Sequence, residues 1–103
     1  MNKLVRDKIV EIIESEGRTL IYEVLPKDKY MASLRNKIVE EAIEVSYSDT
    51  RDNLIEEIAD VQEVINCLLL VSGISKKEVT QVQAKKRKEK GSFKKRHYIF
   101  EAT

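Results

Sequence analysis

Apolar positions recur at helical spacing along most of the chain. Over residues 2–16, Val5, Ile9, Ile12 and Ile13 return every three or four positions, the period of a helix that buries one side. Asn2 can cap that helix and Gly17 can end it. Residues 19–25 (Thr-Leu-Ile-Tyr-Glu-Val-Leu) are rich in strand-forming side chains and are closed by Pro26, so a short strand is predicted there. A second helix is predicted over 28–45, with Met31, Leu34, Ile38, Ala42 and Val45 on one stripe. A polar connector over 46–53 offers Thr50 or Asp52 as the cap of a third helix, which runs to Val71 and stops at Ser72-Gly73. Ser75-Lys76-Lys77-Glu78 has the form of a capping box opening a fourth helix towards Lys90 and Gly91. The tail His97-Tyr98-Ile99-Phe100 is strand-like and is a candidate partner for the strand around Tyr22; such a two-stranded pair would have to rest on the helices. The expected fold is all-α, four helices with a short two-strand element near the termini.

Two segments in the middle repeat each other. Residues 38–45 read Ile-Val-Glu-Glu-Ala-Ile-Glu-Val, and residues 54–61 read Leu-Ile-Glu-Glu-Ile-Ala-Asp-Val. At ~100° per residue, Ile38, Ala42 and Val45 share a narrow stripe, Glu41 lies beside it, Glu44 lies one step further round, and Glu40 points nearly opposite. Leu54, Ile58, Val61, Glu57, Asp60 and Glu56 repeat that layout on the next helix. Helices joined by a short connector pack antiparallel. Packing these two along their stripes predicts that Glu41, Glu44, Glu57 and Asp60 converge. Like charges three or four positions apart destabilise a helix, and four clustered carboxylates hold protons unless cations neutralise them. Mg²⁺ answers that need: it takes oxygen ligands at about 2.0–2.1 Å and keeps room in its shell for water and phosphate oxygens. The competing reading is plain, since Glu-Glu pairs abound on solvated helices; the duplication, in register with the apolar stripe, favours the metal.

Charge is distributed very unevenly. The 103-residue, 11.9 kDa chain carries a formal net charge of only +1. Yet residues 40–63 hold nine acids against Arg51 alone, and residues 74–96 hold ten bases against Glu78 and Glu89. The first block suits divalent cations and the second a polyanion, unless both are solvated faces paired with each other. At this length the chain is expected to form a single domain over 1–103. No run approaches the ~20 apolar residues of a membrane span, and the opening residues break quickly into charge. The single Cys67 excludes an internal disulfide and fits a reducing compartment, so a cytoplasmic chain without a membrane role is expected.

With these residues in view, the chain resembles the MazG-like all-α nucleoside triphosphate pyrophosphohydrolases. Their E-E-x-x-E and E-x-x-D signatures correspond to Glu40-Glu41-Ala42-Ile43-Glu44 and Glu57-Ile58-Ala59-Asp60. The opening Asn2-Lys3-Leu4-Val5-Arg6-Asp7-Lys8-Ile9 and the end Lys90-Gly91-Ser92-Phe93 resemble the phosphoribosyl-ATP pyrophosphohydrolase-like subgroup. The opening departs from that pattern at Val10, where Pro is usual, and the tail departs where Arg-Gly-Gly-Phe is usual; Lys90 supplies a point charge without the fork of Arg. The resemblance implies a four-helix MazG-like bundle, assembled as a homodimer or homotetramer. It implies cleavage of the α–β phosphate bond of an NTP or dNTP, giving the monophosphate and pyrophosphate. Glu41, Glu44, Glu57 and Asp60 would be ligands of Mg²⁺ (or Mn²⁺ in its place), and Glu40 is the candidate to hold or deprotonate the attacking water. Lys3 with Arg6, and Lys86 with Lys90, are candidates to engage the triphosphate.

The remaining chemistry-bearing residues have ordinary readings. His97 is the only histidine and has no His or Cys partner nearby in sequence; a structural or exposed role is expected. Cys67 reads as a core or interface thiol, while Gln62 and Asn66 are polar intrusions in the third helix. Tyr30, Tyr47 and Phe93 are better read as packing residues than as base-stacking ones. Val39, Ile43, Ile55, Ala59 and Leu69 lie outside the stripes, an apolar excess that favours burial between subunits. Two rivals to the leading function are phosphoribosyl-ATP hydrolysis in histidine synthesis and a non-enzymatic helical module that binds nucleic acid through residues 76–96. Nucleic acid is not the expected partner on the leading reading.

Overall fold

A computed structural model describes residues 2–103. It is all-helical, with α1 (Ile9–Ser15), α2 (Lys27–Tyr47), α3 (Arg51–Ser72) and α4 (Lys76–Lys90). Contacts divide the chain into two compact units, Met1–Gly73 and Ile74–Thr103. Among the described residues no single helix is long and apolar enough to cross a membrane.

The helix ends follow the sequence where side chains set them. Thr50 Oγ1 accepts the backbone N–H of Asn53 at 3.1 Å and starts α3. Gly73, in the left-handed region at φ 68°, ends it. At α4 the capping box forms: Ser75 Oγ accepts the Glu78 N–H, and the Ser75 N–H donates to Glu78 Oε2 at 2.7 Å. The Ser75 N–H and the Ser75 hydroxyl, both donating to Glu78 Oε2, hold the Glu78 carboxyl below its ordinary pKa.

Three expectations are corrected. The first helix begins at Ile9, not Asn2, and its first turn has no side-chain cap. Residues 2–6 stay non-helical, for Leu4 and Val5 are the only apolar side chains there. A helical turn with so little to bury is not sustained by propensity alone. Residues 19–25 are not a strand: Ile21 and Val24 are almost wholly exposed. The tail is not a strand either: Tyr98 and Phe100 are largely exposed and pack on each other, with ring centroids 5.1 Å apart. Strand-forming composition without a paired neighbour does not hold extended backbone.

The first unit is built on a hairpin. Residues 48–50 return the chain, so α3 packs along α2. Leu34, 2% exposed, is the single fully buried residue among those described. From Leu34 the covered positions on α2 continue through Ile38, Glu41 and Val45, and those on α3 include Glu57, Asp60, Val61, Val64 and Leu68. The helices therefore meet along a line rotated from the predicted stripe. Ala42 is exposed, and Leu54 and Ile58 are 39% and 41% exposed, whereas the Glu41 side chain is only 15% exposed. The apolar face of each helix is wider than one neighbour can cover, and the hairpin covers its acidic edge.

Candidate metal centre

The rotation brings carboxylates together. Glu41 on α2 and Glu57 and Asp60 on α3 each offer an oxygen, and these three atoms lie within 4.8 Å of one another. Glu57 and Asp60 stand three apart on one helix, a spacing that places their Cβ atoms about 5–6 Å apart. Glu41 reaches them because Leu34, Ile38 and Glu41 follow the i, i+4, i+7 line of the helix contact.

The electrostatics are those of a crowded anionic site. The Glu57 carboxyl is pushed above its ordinary pKa, first by desolvation, then by Asp60, Glu44, Glu41 and Glu56. Lys37 Nζ lies 3.5 Å from oxygens of both Glu40 and Glu41. Arg6 Nη2 donates to Asp60 Oδ1 at 2.6 Å. That bond, with the fields of Asp60, Glu63 and Glu41, raises the Arg6 pKa despite the opposing effect of burial.

Three of the four proposed ligands thus converge. Glu44 is felt by Glu57 but stands outside the group of three. Glu40 is largely exposed and directed to Lys37, in line with its place opposite the stripe. Lys3 is exposed in the non-helical opening segment; Lys86 and Lys90 are exposed on α4, in the second unit. Cys67 is half-buried, with Sγ 3.8 Å from Glu63 Oε2, and burial, with Cys67 beside it, pushes the Tyr30 hydroxyl up.

The donor set fits a hard divalent cation. All three donors are carboxylate oxygens, the ligands Mg²⁺ selects. Oxygens around one octahedral Mg²⁺ lie about 3 Å apart when cis and about 4.2 Å when trans, so the three donors, within 4.8 Å of one another, would draw closer on binding. Beside the acids lies an open apolar depression lined by Ala42, Val45, Ile58, Val61 and Gln62. Each acid has a sequence neighbour in that wall: Ala42 follows Glu41, Ile58 follows Glu57, and Val61 follows Asp60.

Sequence reasoning missed the Arg6–Asp60 pair, which joins residues 54 apart; the basic opening motif was the available signal. The pairing of Lys37 with Glu40 and Glu41 was legible as i, i+3 and i, i+4 spacing.

Comparison with known proteins finds similarity to an uncharacterised protein. Over 56 residues the chain is 45% identical to an uncharacterised protein of Mycolicibacterium smegmatis, a stretch covering 54% of this chain and 57% of that protein. No family model matches the chain, and no solved structure does.

Proposed function

We propose that the chain is a Mg²⁺-dependent nucleotide pyrophosphohydrolase of the MazG-like type, cleaving the α–β bond of an NTP or dNTP. The observation that carries the reading is the convergence of Glu41, Glu57 and Asp60, the inner acids of the duplicated octets, to within 4.8 Å. Acids covered by a helix contact cost stability, and a cation that binds them is the simplest reason to keep them there.

On this reading Glu41, Glu57 and Asp60 hold the ion, with Glu44 one step outside. The metal supplies neutralisation of phosphate charge and an acidified water. The chain's own residues position the rest, which is most of what phosphoryl chemistry asks of a protein. Glu40 stands beside Glu41 in solvent and is the residue to orient or deprotonate the water. Arg6 and Lys3 on the opening segment are the cations this reading gives to the phosphates, and Lys86 and Lys90 on α4 are further candidates on the basic tail motif alone.

The same reading includes a four-helix MazG-like bundle that assembles with further copies of the chain as a homodimer or homotetramer. It is supported by the outer faces of α2 and α3, where Val39, Ile43, Ile55 and Ile58 remain exposed. Burying a Val or Ile side chain fully yields about 1.5–3 kcal/mol, so four that are roughly half-exposed represent several kcal/mol.

The test is Mg²⁺-dependent pyrophosphate release over a panel of NTPs, dNTPs and phosphoribosyl-ATP. Release lost on Glu57→Gln supports the reading, and preference for phosphoribosyl-ATP moves the substrate to the histidine-pathway rival. Release no greater than that of Glu57→Gln on every nucleotide overturns it. One observation favours the nucleic-acid rival: Lys76–Lys90 and the tail expose many bases beside Phe93, Tyr98 and Phe100. That rival predicts affinity for oligonucleotides that falls steeply with salt and is indifferent to loss of Glu57.

A further inference from the structure

Arg6 is set in an unusual place. The other ion pairs among the described residues join positions two to four apart, but Arg6–Asp60 joins residues 54 apart. It ends on an acid of the three-carboxylate group. The backbone holds it there: the Arg6 carbonyl accepts the Ile9 N–H at 3.0 Å, tying the opening segment to the start of α1. Asp60 Oδ1, the atom that Arg6 binds, belongs to a carboxylate that a metal would need.

A guanidinium and a divalent cation that share one carboxylate compete for its lone pairs. The two repel each other, and both seek the oxygens of Asp60. With the cluster empty of metal, Arg6 lowers its negative potential. A metal held by Asp60 would draw that carboxylate from Arg6 and leave the guanidinium free for a phosphate oxygen. Arg is suited to the second task as well, since its fork matches phosphate geometry.

We propose that Arg6 is a resident counter-ion of the Glu41/Glu57/Asp60 group, displaced from Asp60 by the divalent cation and thereby handed to a phosphate of the ligand. Metal and polyanion binding are then coupled through one side chain: Arg6 opposes the metal alone and supports the polyanion once the metal is present. The inference rests on the metal reading above and deepens it.

The coupling gives opposite signs in two measurements on one variant. Arg6 is 61% exposed at its side chain, so Arg6→Gln leaves the hairpin intact, which helical circular dichroism checks. Mn²⁺ binding, followed by electron paramagnetic resonance without nucleotide, should tighten about two- to fivefold in Arg6→Gln, the range an exposed ion pair is worth. Binding of inorganic pyrophosphate at fixed saturating Mg²⁺, followed by calorimetry, should weaken about fivefold or more. Arg6→Lys, which keeps the charge, should restore most of the competition with Mn²⁺. Unchanged or weaker Mn²⁺ binding in Arg6→Gln, with the wild type binding Mn²⁺ normally, overturns the counter-ion role and leaves the metal reading intact. A wild-type chain that binds no Mn²⁺ while Glu57→Gln behaves identically overturns both.

Discussion

Glu41→Gln separates a functional acid from a structural one. The substitution keeps the shape of the side chain and removes its charge. Glu41 and Asp60 bring oxygens within 4.8 Å, and two like charges at that distance repel by about 0.9 kcal/mol in bulk water and about 3.5 kcal/mol at an effective dielectric of ~20. Arg6 on Asp60 and Lys37 near Glu41 offset part of that repulsion, and the surrendered Lys37 pair is worth about 0.3–0.5 kcal/mol. The net is a gain of about 0.5–1.5 kcal/mol for the variant in metal-free buffer, or about 2–12 °C in Tm for a chain of this size. Saturating Mg²⁺ should reverse the order. A ligand at 100 times its Kd stabilises the folded chain by about 2.7 kcal/mol, and the variant, short of one ligand, gains much less. The assay is thermal unfolding by circular dichroism at 222 nm, in EDTA and over a Mg²⁺ titration. Crossing curves are expected. A variant less stable than the wild type in EDTA, or one with an equal Mg²⁺ response, refutes the reasoning, because Glu41 would then be serving the fold.

The folded-state pKa of Glu57 is raised above its ordinary value of 4.5, so between those values the folded chain binds more protons than the unfolded chain. Stability from this group is therefore full below about pH 4.5 and declines as pH rises through the folded-state value; the Tm–pH curve in EDTA should show that decline in the wild type relative to Glu57→Gln. Leu34→Ala truncates the one buried side chain among the described residues and should cost about 2–5 kcal/mol in urea unfolding, with Mn²⁺ affinity falling too because Leu34 sits on the same face of α2 as Glu41. Thr50→Ala deletes the hydrogen bond to the Asn53 N–H and should cost about 1 kcal/mol, leaving Mn²⁺ affinity per folded molecule unchanged. Ile43→Glu or Ile55→Glu, on the exposed faces of α2 and α3, should lower the mass seen by light scattering; an unchanged oligomer rejects those faces as the subunit contact.

The parts of this fold that were legible in the sequence are those set by neighbours in the chain. Thr50, Gly73 and the Ser75–Glu78 box act within a turn of themselves, and each ends or starts a helix where its chemistry requires. Helical periodicity placed α2 and α3 for the same reason. What failed depended on distant partners. Ile21 and Val24 favour extended backbone, but a strand requires a ladder, and none is at hand. Asn2 is a good cap with too little apolar surface behind it. Periodicity also gives the direction of the apolar face but not which part of a wide face a neighbour covers. Ala42, Leu54 and Ile58 were assigned to the contact and stand open, while Glu41, assigned to its margin, lies inside it.

That last misplacement links the two halves of the functional proposal. A hairpin choosing its contact by apolar burial alone would turn Ala42, Leu54 and Ile58 inward and leave the acids in water, because each buried methylene is worth about 0.8 kcal/mol and each crowded carboxylate loses solvation. This hairpin leaves those three open and covers Glu41 between Ile38 and Val45 instead. On the proposed reading two additions would make that arrangement favourable: a cation among Glu41, Glu57 and Asp60, turning repulsion into ligation, and an apolar partner on the outer face, recovering the burial forgone inside. Neither suffices alone, since a metal leaves Val39, Ile43 and Ile55 in solvent and a partner leaves the acids uncompensated. Metal binding and association should therefore reinforce one another. Mg²⁺ should raise the assembled fraction of the wild-type chain at limiting concentration, and should do so far less for Glu57→Gln.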